Sequence, residues 1–463
     1  MRNLLLLMVG CFTFAGHLAA QGSTDKWNLQ RCVEYAAKNN ISVKQADIQA
    51  RLAALEVERT KLSQYPSASA NTNLGTQFGR SIDPTTNLFT TTQLLFQQVN
   101  LNVNATVFNW GALKADRQIA GFNAQAALTD IERITNDVSL SIATFFLQVV
   151  AAKQQIAIAE VQVGQTQSQL GFTRKRVDAG ALPELSSAEI EAQLARDSTS
   201  LVSAKATFQQ AVIQLKAAIN LDMSVSFDVE IPAVDNIPLQ PLGELDPAFL
   251  YQLALNNQPA QKVSDLRIKS AEASIKRARS AFYPTISAFG GLGSNFANAA
   301  TTITGANVIG TRPTTNFVTV NNQNYQVFQP DIQLTSSKRN FFQMWSGWGG
   351  QLEQNFRQNF GLNVQIPIFN AGSAKLGYER SKLNLRTAQV SRQQADLTLQ
   401  QNIYQAHTNA MAAIQRFHAS DKSVEASQKA YDYARKRFEA GLSNTLDLIT
   451  NQNNLLRAKL DRL

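Results

Sequence analysis

The chain has 463 residues, 44% of them hydrophobic, and 43 basic against 34 acidic residues leave a formal net charge of +9. The basic residues are dispersed along helical stretches rather than gathered in a patch, which argues against a nucleic-acid partner. No P-loop, nucleophile motif or metal-ligand cluster occurs, so the sequence predicts neither an enzyme nor a cofactor.

The first 20 residues read as a secretory signal: Arg2, an apolar run over Leu4–Phe14, then small residues to Ala19-Ala20, with cleavage expected after Ala20. A lipoprotein signal ending at Cys11 is the competing reading, and whether Cys11 is lipidated stays open. With Cys11 removed only Cys32 remains, so no intrachain disulfide is expected despite an oxidising compartment. No later run holds about 18 consecutive apolar residues, so no membrane-spanning helix is predicted beyond the signal. A β-barrel remains possible.

A helix is predicted over Arg31–Gln64, stopped by the Tyr65-Pro66 step, because proline disfavours helix in the residue before it. A strand rich in small and polar residues follows, then a polar stretch, then a second strand. There Leu101, Val103, Ala105 and Val107 alternate with Asn102, Asn104, Thr106 and Phe108. One apolar and one mostly polar face suits a strand between lipid and a watery lumen, although a soluble sandwich alternates likewise. A proline-free helix is predicted over Ala112–Asp178, about 100 Å long. Its apolar seam runs through Ile134, Val138, Ile142, Phe145, Val149, Ala152, Ile156, Ala159 and Val163 at coiled-coil spacing. Gly180 ends it, and a return helix is predicted over Leu185–Ala218. The connector Asp228–Pro247, with Pro232, Pro238, Pro241 and Pro247, reads as a linker with a short edge strand.

The chain then repeats itself. Tyr65-Pro66-Ser67-Ala68-Ser69-Ala70 returns as Tyr283-Pro284-Thr285-Ile286-Ser287-Ala288, and Arg174-Lys175-Arg176…Gly180 returns as Arg435-Lys436-Arg437…Gly441. The second copy has an opening helix over Phe249–Phe282, a strand alternating from Leu362 to Phe369, and a long helix over Ser373–Glu439. The expected organisation is a signal (1–20), a first repeat (21–227), a linker (228–247) and a second repeat (248–463) with a longer strand–strand loop, 297–361. That loop carries Phe341, Phe342, Trp345 and Trp348, which fit an interface girdle, an external plug or simple loop packing. The chain stops at the equivalent of Val202, so either it continues beyond Leu463 or one helix pair is incomplete. His407 and His418 lie about three helical turns apart, too far to share a metal.

The opening and return helices together match the long helix, so two half-length helices stacked end to end would run beside one full-length helix. Two strands per copy give four per chain. A transmembrane barrel needs about eight, and an open edge is intolerable in lipid, so membrane strands here require several chains.

The paired Tyr-Pro strand entries, Val107-Phe108-Asn109-Trp110-Gly111 with Ile368-Phe369-Asn370-Ala371-Gly372, and the Arg…Ala-Gly…Leu helix ends resemble a TolC-family outer-membrane factor from about Trp27 onward. The resemblance implies a mainly α fold with membrane β: a homotrimer whose twelve-stranded β-barrel continues as a long periplasmic α-helical barrel. It places the chain in the outer membrane of a Gram-negative bacterium, in contact with outer-membrane lipid and with a periplasmic extension. The implied function is a passive exit duct for drugs, detergents or metal ions. Its partners would be a periplasmic adaptor protein and an inner-membrane transporter of RND or ABC type. The alternatives are a duct for type I protein secretion and a periplasmic coiled-coil adaptor or scaffold.

By the same resemblance Ala179, Gly180, Ala181, Ala440, Gly441 and Leu442 would contact the adaptor, and Asp447 would form an acidic ring at the periplasmic gate. Glu184 and Glu189 flank Ser186, which stands where the first copy's acidic residue is expected. Phe438 replaces the usual gate tyrosine, while Ser443 and Thr450 replace polar residues of the family's lock. Simpler roles coexist: carboxylates favour helix starts, cations such as Arg176 favour helix ends, and glycines cap helices.

Overall fold

The computed structural model describes residues 26–82, 89–91, 93–231 and 246–463. The signal and most of the linker lie outside the described residues. In chain order the elements are β1 (Lys26–Trp27), α1 (Leu29–Asn39), α2 (Ile41–Leu62), β2 (Ser67–Gln77), β3 (Arg80–Ile82), β4 (Phe89–Thr91), β5 (Leu94–Phe108), α3 (Ala112–Asp178) and α4 (Glu184–Ile219). After them come β6 (Asp228–Val229), α5 (Pro247–Asn257), α6 (Pro259–Ser280), β7 (Thr285–Ala299), β8 (Thr301–Val320), β9 (Gln323–Lys338), α7 (Trp348–Gln354), β10 (Arg357–Gln365), α8 (Ser373–Glu439) and α9 (Thr445–Asp461).

Both 67-residue helices fall on their predicted bounds. The turns that launch them are alike. Trp110 and Gly111 take φ of 52° and 79°, and Ala371 and Gly372 take 52° and 78°. Two successive left-handed residues reverse the chain tightly, and the second position is glycine in both copies because φ near +80° is strained for any side chain. The opening helices are each split where one helix is expected. Gln258 is extended because Pro259 follows it. Asn40 does the same work in the first copy, with its Oδ1 accepting from Ser42 N–H and its Nδ2 donating to Ala218 C=O, both at 2.8 Å. The last strand ends at Gln365, short of the predicted Phe369, because Pro367 has no N–H to donate to a ladder.

The chain divides into two contact units that cut across the sequence repeats. One comprises the described residues of 1–55, 121–270 and 385–463; the other comprises 56–120 and 271–384. In the first unit, β1 pairs in parallel with β6 and a core gathers beside them: Trp27, Cys32, Ile142, Phe146, Val149, Leu215, Ile219 and Val229. One stretch of α3 is long and apolar enough to cross a membrane by length and composition alone. Its most buried residues, Ile142, Phe146 and Val149, belong to this core. The seam departs from the prediction in phase: Phe146 rather than Phe145 is fully buried, and toward the helix end Gln162 and Thr166 are buried in place of Val163. Burial pushes the Cys32 thiol up to about 11, so little thiolate forms at neutral pH. Cys32 is therefore expected to resist maleimide labelling at pH 8 in the folded protein and to label fully in denaturant, read by mass spectrometry.

The second unit holds a four-stranded antiparallel sheet in the order β10-β7-β5-β2, a separate β8–β9 ribbon and the small β3–β4 pair. The ribbon occupies the loop expected over 297–361. Its composition hid it, because Gly, Pro, Asn and Thr interrupt the alternation and register shifts break the phase. Of the loop aromatics, Trp345 stacks on Phe296 with centroids 5.7 Å apart and Trp348 Nε1 donates to Gln97 Oε1 at 2.6 Å, while Phe341 and Phe342 stay exposed.

Candidate functional site

Strand register decides which side chains share a face of the four-stranded sheet. Asn71 and Asn73 on β2 lie beside Asn100 and Gln98 on β5, which lie beside Gly293 and Asn295 on β7. Asn102 and Asn359 flank Gly291, and Arg357 lies opposite Gly293 on the same face. One face is therefore a field of neutral amides with few charges. A Cβ at Gly291 would overlap Asn359 Oδ1, and one at Gly293 would come within 2.8 Å of Asn100 Oδ1, so the amide rows need these glycines. The opposite face carries Leu74, Val99, Leu101, Leu292, Leu362 and Val364, all exposed in the single chain. An apolar face against lipid and a polar face against water is the transmembrane-strand arrangement. Among the described residues, β2 and β10 each have an open side.

In the other unit, the ends of α3 and α8 turn in the same way. Gly180 takes φ of 71°, with its N–H donating to Val177 C=O and the Ala181 N–H to Arg176 C=O. Gly441 takes φ of 78°, with its N–H donating to Phe438 C=O and the Leu442 N–H to Arg437 C=O. Both are glycine-capped helix ends of Schellman type. Ala179, Gly180, Ala181, Ala440, Gly441 and Leu442 are all exposed. Asp447 is exposed in the first turn of α9, where its N–H donates to the capping Asn444 Oδ1 at 2.9 Å. Glu184 is exposed at the start of α4, Glu189 is half-buried, and Ser186 is buried.

Phe438 is 1% exposed in the single chain and packs with Tyr431, Leu448, Leu455 and Leu182, so it ties α8, α9 and the first tip together. Arg176 has a larger role than charge at a helix end. Its Nη1 donates to Phe438 C=O at 3.2 Å and Glu439 C=O at 3.1 Å, satisfying final carbonyls of the other long helix and joining the two tips. Its counterpart Arg437 reaches only Leu442 C=O in its own turn, at 3.5 Å. Gln169 Nε2, Thr173 Oγ1 and Ser443 Oγ are buried without a partner among the described residues, and all belong to the end of α3 or the second tip.

Sequence reasoning also missed a polar core. Asp197 on α4, 3% exposed, accepts from Thr166 Oγ1 at 2.6 Å and from Gln162 Nε2 at 3.3 Å, both on α3, and from Gln193 Nε2 at 2.8 Å. Gln452 Nε2 on α9 donates to Thr166 Oγ1 at 2.7 Å, and Gln193 Nε2 also donates to Asn453 Oδ1 at 3.2 Å. Two helices thus meet on one carboxylate, and α9 of the second copy joins the network through Thr166 and Gln193. The sequence signal was a polar residue falling in helical phase with buried apolar ones.

The family profile described as outer membrane efflux protein matches residues 33–221 and 250–463, one stretch on each copy. The pyoverdine export outer membrane protein OpmQ of Pseudomonas putida is 20% identical over 78% of this chain, and the alignment spans 65% of OpmQ's length. The probable outer membrane lipoprotein SilC of Salmonella typhimurium is 21% identical, covering 87% of this chain and 73% of SilC. Among solved structures, the outer membrane protein VceC of Vibrio cholerae superposes with a TM-score of 0.69 at 13% identity, covering 94% of this chain and 91% of VceC. The CmeC outer membrane channel of Campylobacter jejuni gives 0.68 at 18% identity, covering 93% and 81%. At these identities the likeness is one of fold. It sets aside the adaptor or scaffold alternative, and the family implies a trimeric channel that works with efflux-pump components. Matched along both of its copies, the chain belongs to the outer membrane efflux protein family, a family of bacterial outer-membrane channels and not of enzymes.

Proposed function

We propose that three copies of this chain form the passive exit duct of a tripartite efflux pump that exports small molecules. The observation that carries this reading is the four-stranded sheet, apolar on one face and amide-lined on the other, with both edges open. The helices contiguous with those edges support it. α2, which leads into β2, carries exposed Ile41, Ile48, Leu55 and Leu62; α8, which follows β10, carries exposed Leu376, Leu383, Val390, Leu397 and Tyr404. Each stripe has the heptad period of a helix awaiting a partner. Stripe against stripe and edge against edge, neighbouring copies would close a ring.

Adaptor docking is assigned to the two exposed tip turns, Ala179-Gly180-Ala181 and Ala440-Gly441-Leu442. The gate is assigned to Asp447, with Glu184 and Glu189 beside it. Three Asp447 carboxylates at a narrow mouth would favour cations over anions. Asp447→Ala is then expected to lower the cation-to-anion permeability ratio severalfold, read from reversal potentials in a salt gradient. An unchanged ratio would remove Asp447 from the gate.

Among the relatives, those named for their cargo are a pyoverdine exporter, a toluene efflux pump protein and an antibiotic efflux pump protein. Small-molecule export is therefore the reading adopted here, and a strain lacking the protein should retain dye with its secreted proteins unchanged. Loss of one secreted protein with normal dye export would move the assignment to type I secretion.

A further inference from the structure

The β8–β9 ribbon is a surface that the exit-duct reading does not use. Fifteen ladder pairs join its strands, and β9 is paired at every residue but Val327 while β8 carries most of the irregularities, so the faces can be read along β9. Phe328, Pro330, Ile332 and Leu334 share one face, with Val308 opposite Ile332 and Phe317 opposite Gln326. The other face carries Gln329, Asp331, Gln333 and Thr335 opposite Arg312, Gly310, Asn307 and Gly305, and turns apolar only toward the tip, at Tyr325 and Val318. Val308, Phe317, Phe328, Ile332 and Leu334 are all more than half exposed in the single chain. An apolar strip of that kind in water marks an interaction surface.

Lipid does not explain it. β7 has 15 residues, about 50 Å of strand, and a membrane band of about 25 Å is exhausted before its end even at a tilt of about 45°. The end of β7 is enclosed by the segment that follows the ribbon: Asn298 Nδ2 donates to Met344 C=O and Ser346 C=O, and Asn355 Nδ2 to Asn295 C=O. The ribbon starts beyond that point, tied at its base by the Arg339 N–H donating to Ala300 C=O at 2.7 Å.

We infer that the occupant is the same ribbon on the other two copies, so that three β8–β9 ribbons pack their apolar faces together as a collar outside the barrel. The inference rests on the trimer in the exit-duct reading. Two observations favour self-association over a foreign partner. The ribbon leaves β7, whose hydrogen-bonded neighbour β10 is the open edge where the next copy must join. Its only charged residues are Arg312, Asp331 and Lys338, so identical ribbons can meet without the repulsion that repeated like charges would bring.

The test uses the full-length protein in outer-membrane vesicles, with Phe328→Cys on the apolar face and Gln333→Cys on the polar face. Each preparation is first confirmed as trimeric by mass, so a failure to assemble counts against the exit-duct reading and not against the collar. On oxidation, Phe328→Cys should cross-link chains about tenfold more than Gln333→Cys. Equal cross-linking at both sites would overturn the collar. So would a Phe328→Cys trimer that stays uncross-linked and labels with maleimide in intact cells, which is the result expected for a free face or one held by another protein. Deleting 302–337 provides a second readout: the trimer should dissociate in detergent at a lower temperature, and an unchanged temperature would contradict the proposal.

Discussion

Replacing Arg176 by alanine is expected to open the channel. The guanidinium joins the tips of the two repeats through two backbone carbonyls at the end of α8, in the region where Gln169, Thr173 and Ser443 leave polar atoms buried and without a partner among the described residues. A region whose polar groups are incompletely satisfied has little to lose by rearranging, and functional movements draw on such regions. Hydrogen bonds from a charged donor contribute about 1.5–3 kcal/mol when well shielded. Arg176 is only half-buried, so about 1–2 kcal/mol is the appropriate scale, which is roughly a five- to thirtyfold change in the closed-to-open ratio. Single-channel recordings of Arg176→Ala should show a higher open fraction by about that factor. Arg176→Lys should be intermediate, because one ammonium cannot reproduce the fork. Arg437→Ala should behave like the parent, since its contact stays inside its own turn. Equal records for Arg176→Ala and the parent would remove the clamp.

The second large effect is expected at Asp197. Alanine there would leave the Thr166 hydroxyl and the Gln162 and Gln193 amides short of an acceptor inside a three-helix contact. An unsatisfied buried donor costs about 1–3 kcal/mol, and some donors will find other partners, as Gln193 already reaches Asn453. A loss of about 2–4 kcal/mol follows, seen as a fall of roughly 2–4 °C in thermal unfolding for a chain of this length and as faster amide exchange in α9. Asp197→Asn keeps one acceptor oxygen and should lose less. An unchanged melting temperature for Asp197→Ala would show that the network adds no stability. The duplicated position is Ala458, also buried, so the carboxylate junction belongs to one copy alone.

Long-range order was legible wherever the code is local and repeated. The proline-free runs and the Gly180 and Gly441 stops placed both long helices on their observed bounds, since each rests on backbone chemistry that neighbours cannot override. The rest depended on phase or on partners. A seam read at 3.5 residues drifts against a real helix, so Phe145 was favoured over Phe146 and the buried Gln162, Thr166 and Asp197 went unseen. The β8–β9 ribbon was hidden by its irregular register. Arg176 and Arg437 sit in near-identical sequence contexts, and only packing decides that the first crosses to the other tip. The packing of Phe438 with Tyr431, Leu448 and Leu455 likewise depends on partners distant in sequence.

The central claim, a channel assembled from several copies of one duplicated chain, is tested most directly by recording from the purified, mass-determined protein in a planar lipid bilayer. The account predicts a trimer that inserts and conducts. A monomer that forms no pores would contradict it.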